Sequence, residues 1–170
     1  LSKKKPVVFL MGLDEIDVSI LKDSFVIYMG HNGDRSASVA DIILPTPAYT
    51  EKSSTYMNIE GRVFQTTKCY NPLGDAKEEW KIFRALSDTI NKKLNFNNLS
   101  ELRKEIISSF SQFAHLNEIN PIKKISFGKI HKIKNIKINY NIENFYMNDS
   151  ISRSSETMAL CTKDILSKVA

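Results

Sequence analysis

An α/β fold with a partial doubly wound sheet is predicted by three continuous apolar runs, the short segments joining them, and the helical periodicity that follows. Pro6-Val7-Val8-Phe9-Leu10-Met11-Gly12, Phe25-Val26-Ile27-Tyr28-Met29-Gly30 and Ile42-Ile43-Leu44 do not alternate with polar residues. Unbroken apolar runs of that length suit strands buried on both faces of a parallel sheet. Asp14 to Lys22, with Ile16, Val18, Ile20 and Leu21 apolar, has room for one or two helical turns, and Ser36 to Ala40 for about one. Strands joined by short crossovers of this kind point to a doubly wound sheet.

The third run ends at Pro45 and Pro47, and the polar stretch Thr50 to Gln65 follows. Tyr56, Met57, Ile59 and Val63 show no helical stripe there, so it reads as a loop at the end of a strand, where open α/β sheets place binding surfaces. Glu60-Gly61-Arg62 is expected to make a tight turn, with Gly61 supplying backbone freedom. Glu51, Lys52, Glu60 and Arg62 are expected to fix the loop as an ion-pair network, with Asn58 and Gln65 satisfying backbone groups. The alternative is a polyanionic or pterin-type ligand held by Arg62 and Lys52.

After the turn Asn71-Pro72-Leu73-Gly74, Asp75 with Glu78 three residues on resembles a capping box. Trp80, Phe83, Leu86, Ile90 and Leu94 form the stripe of the helix it opens. A second cap, Asn98 with Glu101, opens a helix carrying Leu99, Leu102, Ile106, Phe110 and Phe113 on one face, and Lys92–Asn97 connects the two. Between residues 114 and 140 periodicity weakens to a short alternation at Ile136, Ile138 and Tyr140. Met158, Cys161, Ile165 and Val169 then recur at helical spacing as a terminal amphipathic helix.

Composition removes several chemistries. No apolar run approaches the ~20 residues that span a bilayer. Leu1-Ser2-Lys3-Lys4-Lys5-Pro6-Val7 has neither a signal-peptide layout nor an initiating Met, which reads as a trimmed start or a piece of a larger polypeptide. Cys69 and Cys161 stand far apart with no ligand-spaced neighbours, so the chain builds no zinc or iron–sulfur site and no disulfide scaffold. The segment Gly12-Leu13-Asp14-Glu15-Ile16 lacks the later glycines of a dinucleotide turn, and Asp14, Glu15 and Asp17 repel phosphate. Ser53 and Ser54 lack a positioned base: His31, His115 and His131 are scattered, and there is no Gly-x-Ser-x-Gly elbow.

Charge is uneven. Residues 1–90 carry 11 Lys and Arg against 12 Asp and Glu, residues 91–170 carry 13 against 7, and the excess concentrates in Lys123, Lys124, Lys129, Lys132, Lys134 and Lys137. That run has no Arg and only Phe127 as an aromatic, a poor composition for nucleic acid. It suits a solvated tail or one packed on an acidic partner. The abundance of Ile, Lys and Asn also fits drift in an AT-rich genome.

Several segments together resemble a known family. Gly30-His31-Asn32-Gly33-Asp34, Ala40-Asp41-Ile42-Ile43-Leu44-Pro45, Ala48-Tyr49-Thr50-Glu51-Lys52-Ser53 and Gly61-Arg62-Val63-Phe64-Gln65 are similar to the C-terminal part of the 75 kDa iron–sulfur subunits of respiratory complex I, the largest of its peripheral arm. Glu79-Trp80-Lys81-Ile82-Phe83-Arg84-Ala85-Leu86-Ser87 fits as well, and the ending from Phe145 to Ala159 resembles the mitochondrial form. The resemblance covers Val7–Ser87 and Asn144–Ala170; residues 92–140 match nothing.

The resemblance implies a Rossmann-like sheet of the molybdopterin-oxidoreductase type with a helical and extended C-terminal extension. The chain is then expected to divide into an α/β portion at 1–116, a basic extended segment at 117–143 and a C-terminal segment at 144–170 ending in the amphipathic helix. The resemblance implies a non-catalytic part of NADH:ubiquinone oxidoreductase, with no catalytic, cofactor-binding or metal-ligating residue on this chain. Iron–sulfur clusters and FMN are then expected on partners, namely the N-terminal iron–sulfur half of the same subunit and other peripheral-arm subunits, with no nucleic acid and no direct membrane span. The setting would be the matrix side of the mitochondrial inner membrane, or alternatively the cytoplasmic side of a bacterial membrane. A fragment of a molybdopterin-dependent, formate dehydrogenase-like catalytic subunit is the competing enzyme reading, and an adaptor binding RNA or lipid through Lys123–Lys137 is a third. Expressed alone, the chain is expected to be unstable or to aggregate; a soluble monomer with a cooperative melt would contradict a split subunit.

Overall fold

The structure is a computed structural model that describes residues 6–13, 15–33, 35–118, 128 and 144–165. The chain forms two compact units, one from residues 1–44 and 129–170, the other from 45–128. The sequence division at 116 and 143 falls mostly outside the described residues, as do Ile136, Ile138, Tyr140, Val169 and the basic run from Lys123 to Lys137.

In the first unit the apolar runs form strands where expected, but only the central one is enclosed as such runs predict, and Val7, Met11, Ile42 and Ile43 on the outer two are exposed. β1 (Val7–Met11), β2 (Phe25–Gly30) and β3 (Ile42–Pro45) make a sheet in the order β1-β2-β3, with β1 and β2 parallel and Val7 opposite Phe25. The central strand is the most enclosed: Val26, Tyr28, Met29 and Gly30 are all buried. A 3-10 turn at Val18–Leu21, capped by Asp17 accepting from the Ser19 amide, connects β1 to β2 and delivers Leu21 to the core. The short helix α1 (Arg35–Ser38) connects β2 to β3 and presents Ala37. Leu10, Leu21, Val26 and Tyr28 form that core, with Val8, Ile16, Ala37 and Ala40 against it. Asp41 fixes the entry to β3: its carboxylate accepts from the Val26 amide at 2.7 Å, and its own amide donates to the Val26 carbonyl at 2.8 Å.

The second unit departs from expectation at Thr50–Gln65. Instead of an open loop, a 3-10 turn at Tyr49–Glu51 leads into an antiparallel hairpin of β4 (Thr55–Met57) and β5 (Val63–Gln65). The polar composition concealed short strands joined through the Tyr56–Phe64 stack, 5.5 Å between ring centroids. Gly61 takes φ 82°, so the expected tight turn is present.

Two helices complete this unit, α2 (Glu79–Thr89) and α3 (Leu99–Ser109). Glu78, not Asp75, occupies the cap position of α2, because residues 74–75 are used in a separate turn. The stripe also overran the helix: Asn91 adopts φ 56°, a left-handed stop, which leaves Leu94 in the connection with its amide held by Ser87 Oγ at 3.1 Å. In its place Phe96 is buried edge-on to Trp80, 6.4 Å between centroids. The cap of α3 is as read, with Asn98 Oδ1 accepting from the Glu101 amide at 2.9 Å and Asn98 Nδ2 donating to Glu101 at 2.7 Å. Phe110 and Phe113 lie beyond its last turn, Phe113 in a 3-10 turn at Ser111–Ala114.

Gly30 marks a tight point of the sheet. A Cβ at this position would stand 2.4 Å from the Tyr28 hydroxyl, and Tyr28 is 2 % exposed, so its ring has nowhere to go. Gly30→Ala should therefore destabilise the first unit by about 2 kcal/mol, as overpacking does. Hydrogen exchange of the β2 amides in the native assembly measures this, and unchanged exchange would show that the ring relocates at little cost.

Candidate functional site

Thr50–Gln65 contributes the residues of the presumed binding loop, and the fold disperses them. Glu51 accepts from the Ala48 amide at 3.0 Å. Lys52 pairs with Glu79 at the start of α2, both side chains only 20 % exposed. Glu60 meets Asn58 at 3.4 Å, and Arg62 donates to the Asn117 carbonyl at 3.2 Å. The expected mutual network of Glu51, Lys52, Glu60 and Arg62 is thus replaced by separate anchors to neighbouring segments. Asn58 does satisfy the backbone, its Oδ1 accepting from the amides of Glu60 at 3.1 Å and Arg62 at 2.9 Å. Ser53 Oγ accepts from the Lys68 amide at 3.1 Å, a bond that holds the backbone.

The remaining chemical candidates are also dispersed. His31 is exposed after β2, His115 lies 3.3 Å from Glu118, and His131 is outside the described residues. Cys69 is exposed and Cys161 partly buried, both as thiols. Among the described residues no three His, Cys, Asp or Glu side chains converge as metal ligands.

The more informative place is the carboxyl end of β1 and β2, the side on which parallel α/β sheets receive ligands. Here the chain meets its own C-terminal segment. Asn32, two residues past β2, donates through Nδ2 to the Ser150 carbonyl at 3.0 Å and to Ser154 Oγ at 3.3 Å. Its carbonyl accepts from the Tyr28 hydroxyl at 2.8 Å, which ties the contact to the core. Glu15, past β1, approaches Arg153 at 3.9 Å.

Ser150–Arg153 is the short helix α4, and its cap explains why it holds shape. Asp149 Oδ1 accepts from the Ile151 and Ser152 amides, each at 2.9 Å, while Ser152 Oγ accepts from the Asp149 amide at 3.1 Å. The Ser152 amide and hydroxyl, opposed by slight desolvation and aided by the Ile151 amide and Arg153, hold the Asp149 carboxyl below its ordinary value. α5 (Glu156–Ile165) follows, and Asn144 clasps it through Thr162 Oγ1 at 3.0 Å. Met158 and Cys161 are half-buried on its expected stripe, whereas Ile165 is exposed. Sequence reasoning gave Asn32 and Ser150–Ser154 only as family markers. The capping pattern Asp149-x-x-Ser152 was the local signal for α4; nothing local signalled its partner.

Comparison with known proteins brings the two ends of the chain together. The family model of molybdopterin oxidoreductases matches residues 1–89, and that of the C-terminal region of the G-type subunits of NADH-ubiquinone oxidoreductase matches residues 120–161. The chain is 43% identical to the mitochondrial NADH-ubiquinone oxidoreductase 78 kDa subunit of Candida albicans, over 99% of this chain and 25% of that protein. It is 40% identical to the 75 kDa subunit of Reclinomonas americana, over 94% of this chain and 23% of that one. Against the G-type subunit of the NADH-quinone oxidoreductase of Rickettsia bellii the identity is 39%, over 91% and 23%. The chain therefore spans about a quarter of the length of these curated relatives.

Asp149→Ala should speed exchange of the Ile151 and Ser152 amides roughly fivefold, as expected for loss of a side-chain N-cap. Because the folded carboxyl titrates below the ordinary Asp value of about 3.9, its contribution is complete above that pH and fades as pH falls through the lower folded value. An Asp149 carboxyl titrating at or above the ordinary value would show that the cap is not formed.

Proposed function

The chain belongs to the molybdopterin oxidoreductase family, and from that premise we propose that it is a structural, non-catalytic portion of the large iron–sulfur subunit of NADH:ubiquinone oxidoreductase. Support comes from the order of the two family matches on one short chain and from relatives that are complex I subunits along nearly all of it. The observation that carries the non-catalytic reading is the seat of α4. At the carboxyl end of the sheet, the side on which open α/β folds take ligands, the chain's own Ser150–Ser154 is bonded to Asn32 and set beside Glu15.

A molybdopterin, which the family name implies, does not fit the residues present. The cations that would meet its phosphates are engaged elsewhere, Lys52 with Glu79 and Arg62 with Asn117. Electron transfer is accordingly assigned to partner polypeptides that carry the iron–sulfur clusters and FMN. In this role β1–β3 form part of a larger doubly wound sheet, completed by the N-terminal iron–sulfur portion of the same subunit. Among the described residues no helix is long and apolar enough to cross a membrane. The proposed setting is the matrix-side arm at the mitochondrial inner membrane. The same arrangement on the cytoplasmic side of a bacterial membrane is the alternative.

Affinity purification of the native chain tests this reading. The N-terminal iron–sulfur portion and other peripheral-arm subunits should accompany it as separate polypeptides, with iron abundant and molybdenum at background. Stoichiometric molybdenum or tungsten would favour the formate dehydrogenase-like enzyme instead. Recovery of this sequence within one uncut polypeptide would end the split-subunit proposal.

A further inference from the structure

A basic pocket of about 190 Å³ opens in the second unit, lined by Lys68, Lys77 and Lys81 together with Glu78, Pro72 and Gly74. Its walls are held by backbone bonds. The Lys68 amide donates to Ser53 Oγ at 3.1 Å, the Cys69 amide to the Thr50 carbonyl at 2.8 Å, and the Lys77 amide to the Pro45 carbonyl at 3.1 Å. The backbone that carries Lys68 and Lys77 is therefore set before any ligand arrives.

Their charge is poorly balanced. Among the described residues Glu78 is the one carboxylate lining the pocket, and it is already committed to Lys81 at 2.8 Å and to Trp80 Nε1 at 2.9 Å. Burial works to raise the Glu78 carboxyl, but Lys81, Trp80 and the charge of Lys68 outweigh it and hold it low, so Glu78 stays ionised and spent. Lys68 reaches only the neutral Asn71 amide oxygen at 3.0 Å, and Lys77 has no ion-pair partner among the described residues. Three ammonium groups thus line one small concavity whose one lining carboxylate among the described residues is already paired with Lys81.

The loop that builds the pocket also carries large apolar side chains in water: Tyr70 is 72% exposed and Leu73 81%. A preformed charged niche beside exposed aromatic and aliphatic side chains has the composition of a protein interface. A free phosphate would use the lysines and leave Tyr70 and Leu73 unexplained.

We propose that this pocket receives an Asp or Glu side chain of a second polypeptide, whose flanking apolar residues pack on Tyr70 and Leu73. The proposal rests on reading the chain as one part of a larger assembly, and its relatives' roughly fourfold greater length leaves ample polypeptide to supply that segment.

Zero-length carbodiimide coupling of the purified native assembly, followed by peptide mass spectrometry, tests it without altering a residue. Lys68 or Lys77 should be joined to a carboxylate of another polypeptide. Lys68→Glu with Lys77→Glu should reduce retention of the chain in the assembly at least about tenfold, while Lys92→Glu with Lys93→Glu, on the exposed α2–α3 connection, should not. Coupling confined to Glu78 or Asp75 of the same chain would overturn the proposal, as would normal retention of the Lys68/Lys77 variant. Protection of both lysines by inorganic phosphate, without any intermolecular link, would also overturn it and assign the pocket to a small anion. A link to a polypeptide outside complex I would uphold the pocket while refuting the complex I reading.

Discussion

The carboxamide of Asn32 ties the C-terminal segment to the carboxyl end of β2 within the first unit. It reaches the Ser150 carbonyl and Ser154 hydroxyl more than a hundred residues away, while the backbone carbonyl of Asn32 accepts from the buried Tyr28 hydroxyl. Each bond alone contributes only about 1 kcal/mol. Their effect is larger because they share one residue: the core fixes Tyr28, Tyr28 fixes Asn32, and Asn32 fixes α4. Gly30 is a condition of this chain of contacts, since a side chain there would collide with the Tyr28 ring.

The second unit follows a different logic. Its hairpin carries the charges and hydroxyls that suggest a binding loop, yet nearly every one is spent on holding neighbouring segments in place. Lys52 ties the region before β4 to the start of α2, Arg62 reaches Asn117, and Ser53 secures the loop bearing Lys68. Arg103 on α3 adds a bond from Nε to Thr55 Oγ1 at 3.3 Å. The same framing leaves Lys68 and Lys77 facing outward.

Much of the first unit was legible because unbroken apolar runs announce strands, and β1, β2 and β3 lie where those runs lie. The Asn98–Glu101 cap was legible for a similar reason, since its chemistry acts over three residues. The hairpin was not, because its strands are three residues each and set within a polar stretch, too short for an alternation to register. The end of α2 was misjudged because a left-handed Asn91 overrode an apolar stripe that continued to Leu94. Contacts between distant residues, such as Asn32 with Ser150 or the gathering of Lys68, Lys77 and Lys81, leave no periodic trace. The resemblance to complex I subunits placed the residues in a family without revealing what they touch.

The structural role depends on the carboxyl end of β1 and β2 being filled by protein, and an experimental map of the native assembly in that region tests it most directly. Density for Ser150–Ser154 against Asn32 and Glu15, continuous with α5, is the predicted result. Density for a pterin or other bound ligand in that crevice, with the C-terminal segment displaced, would contradict it.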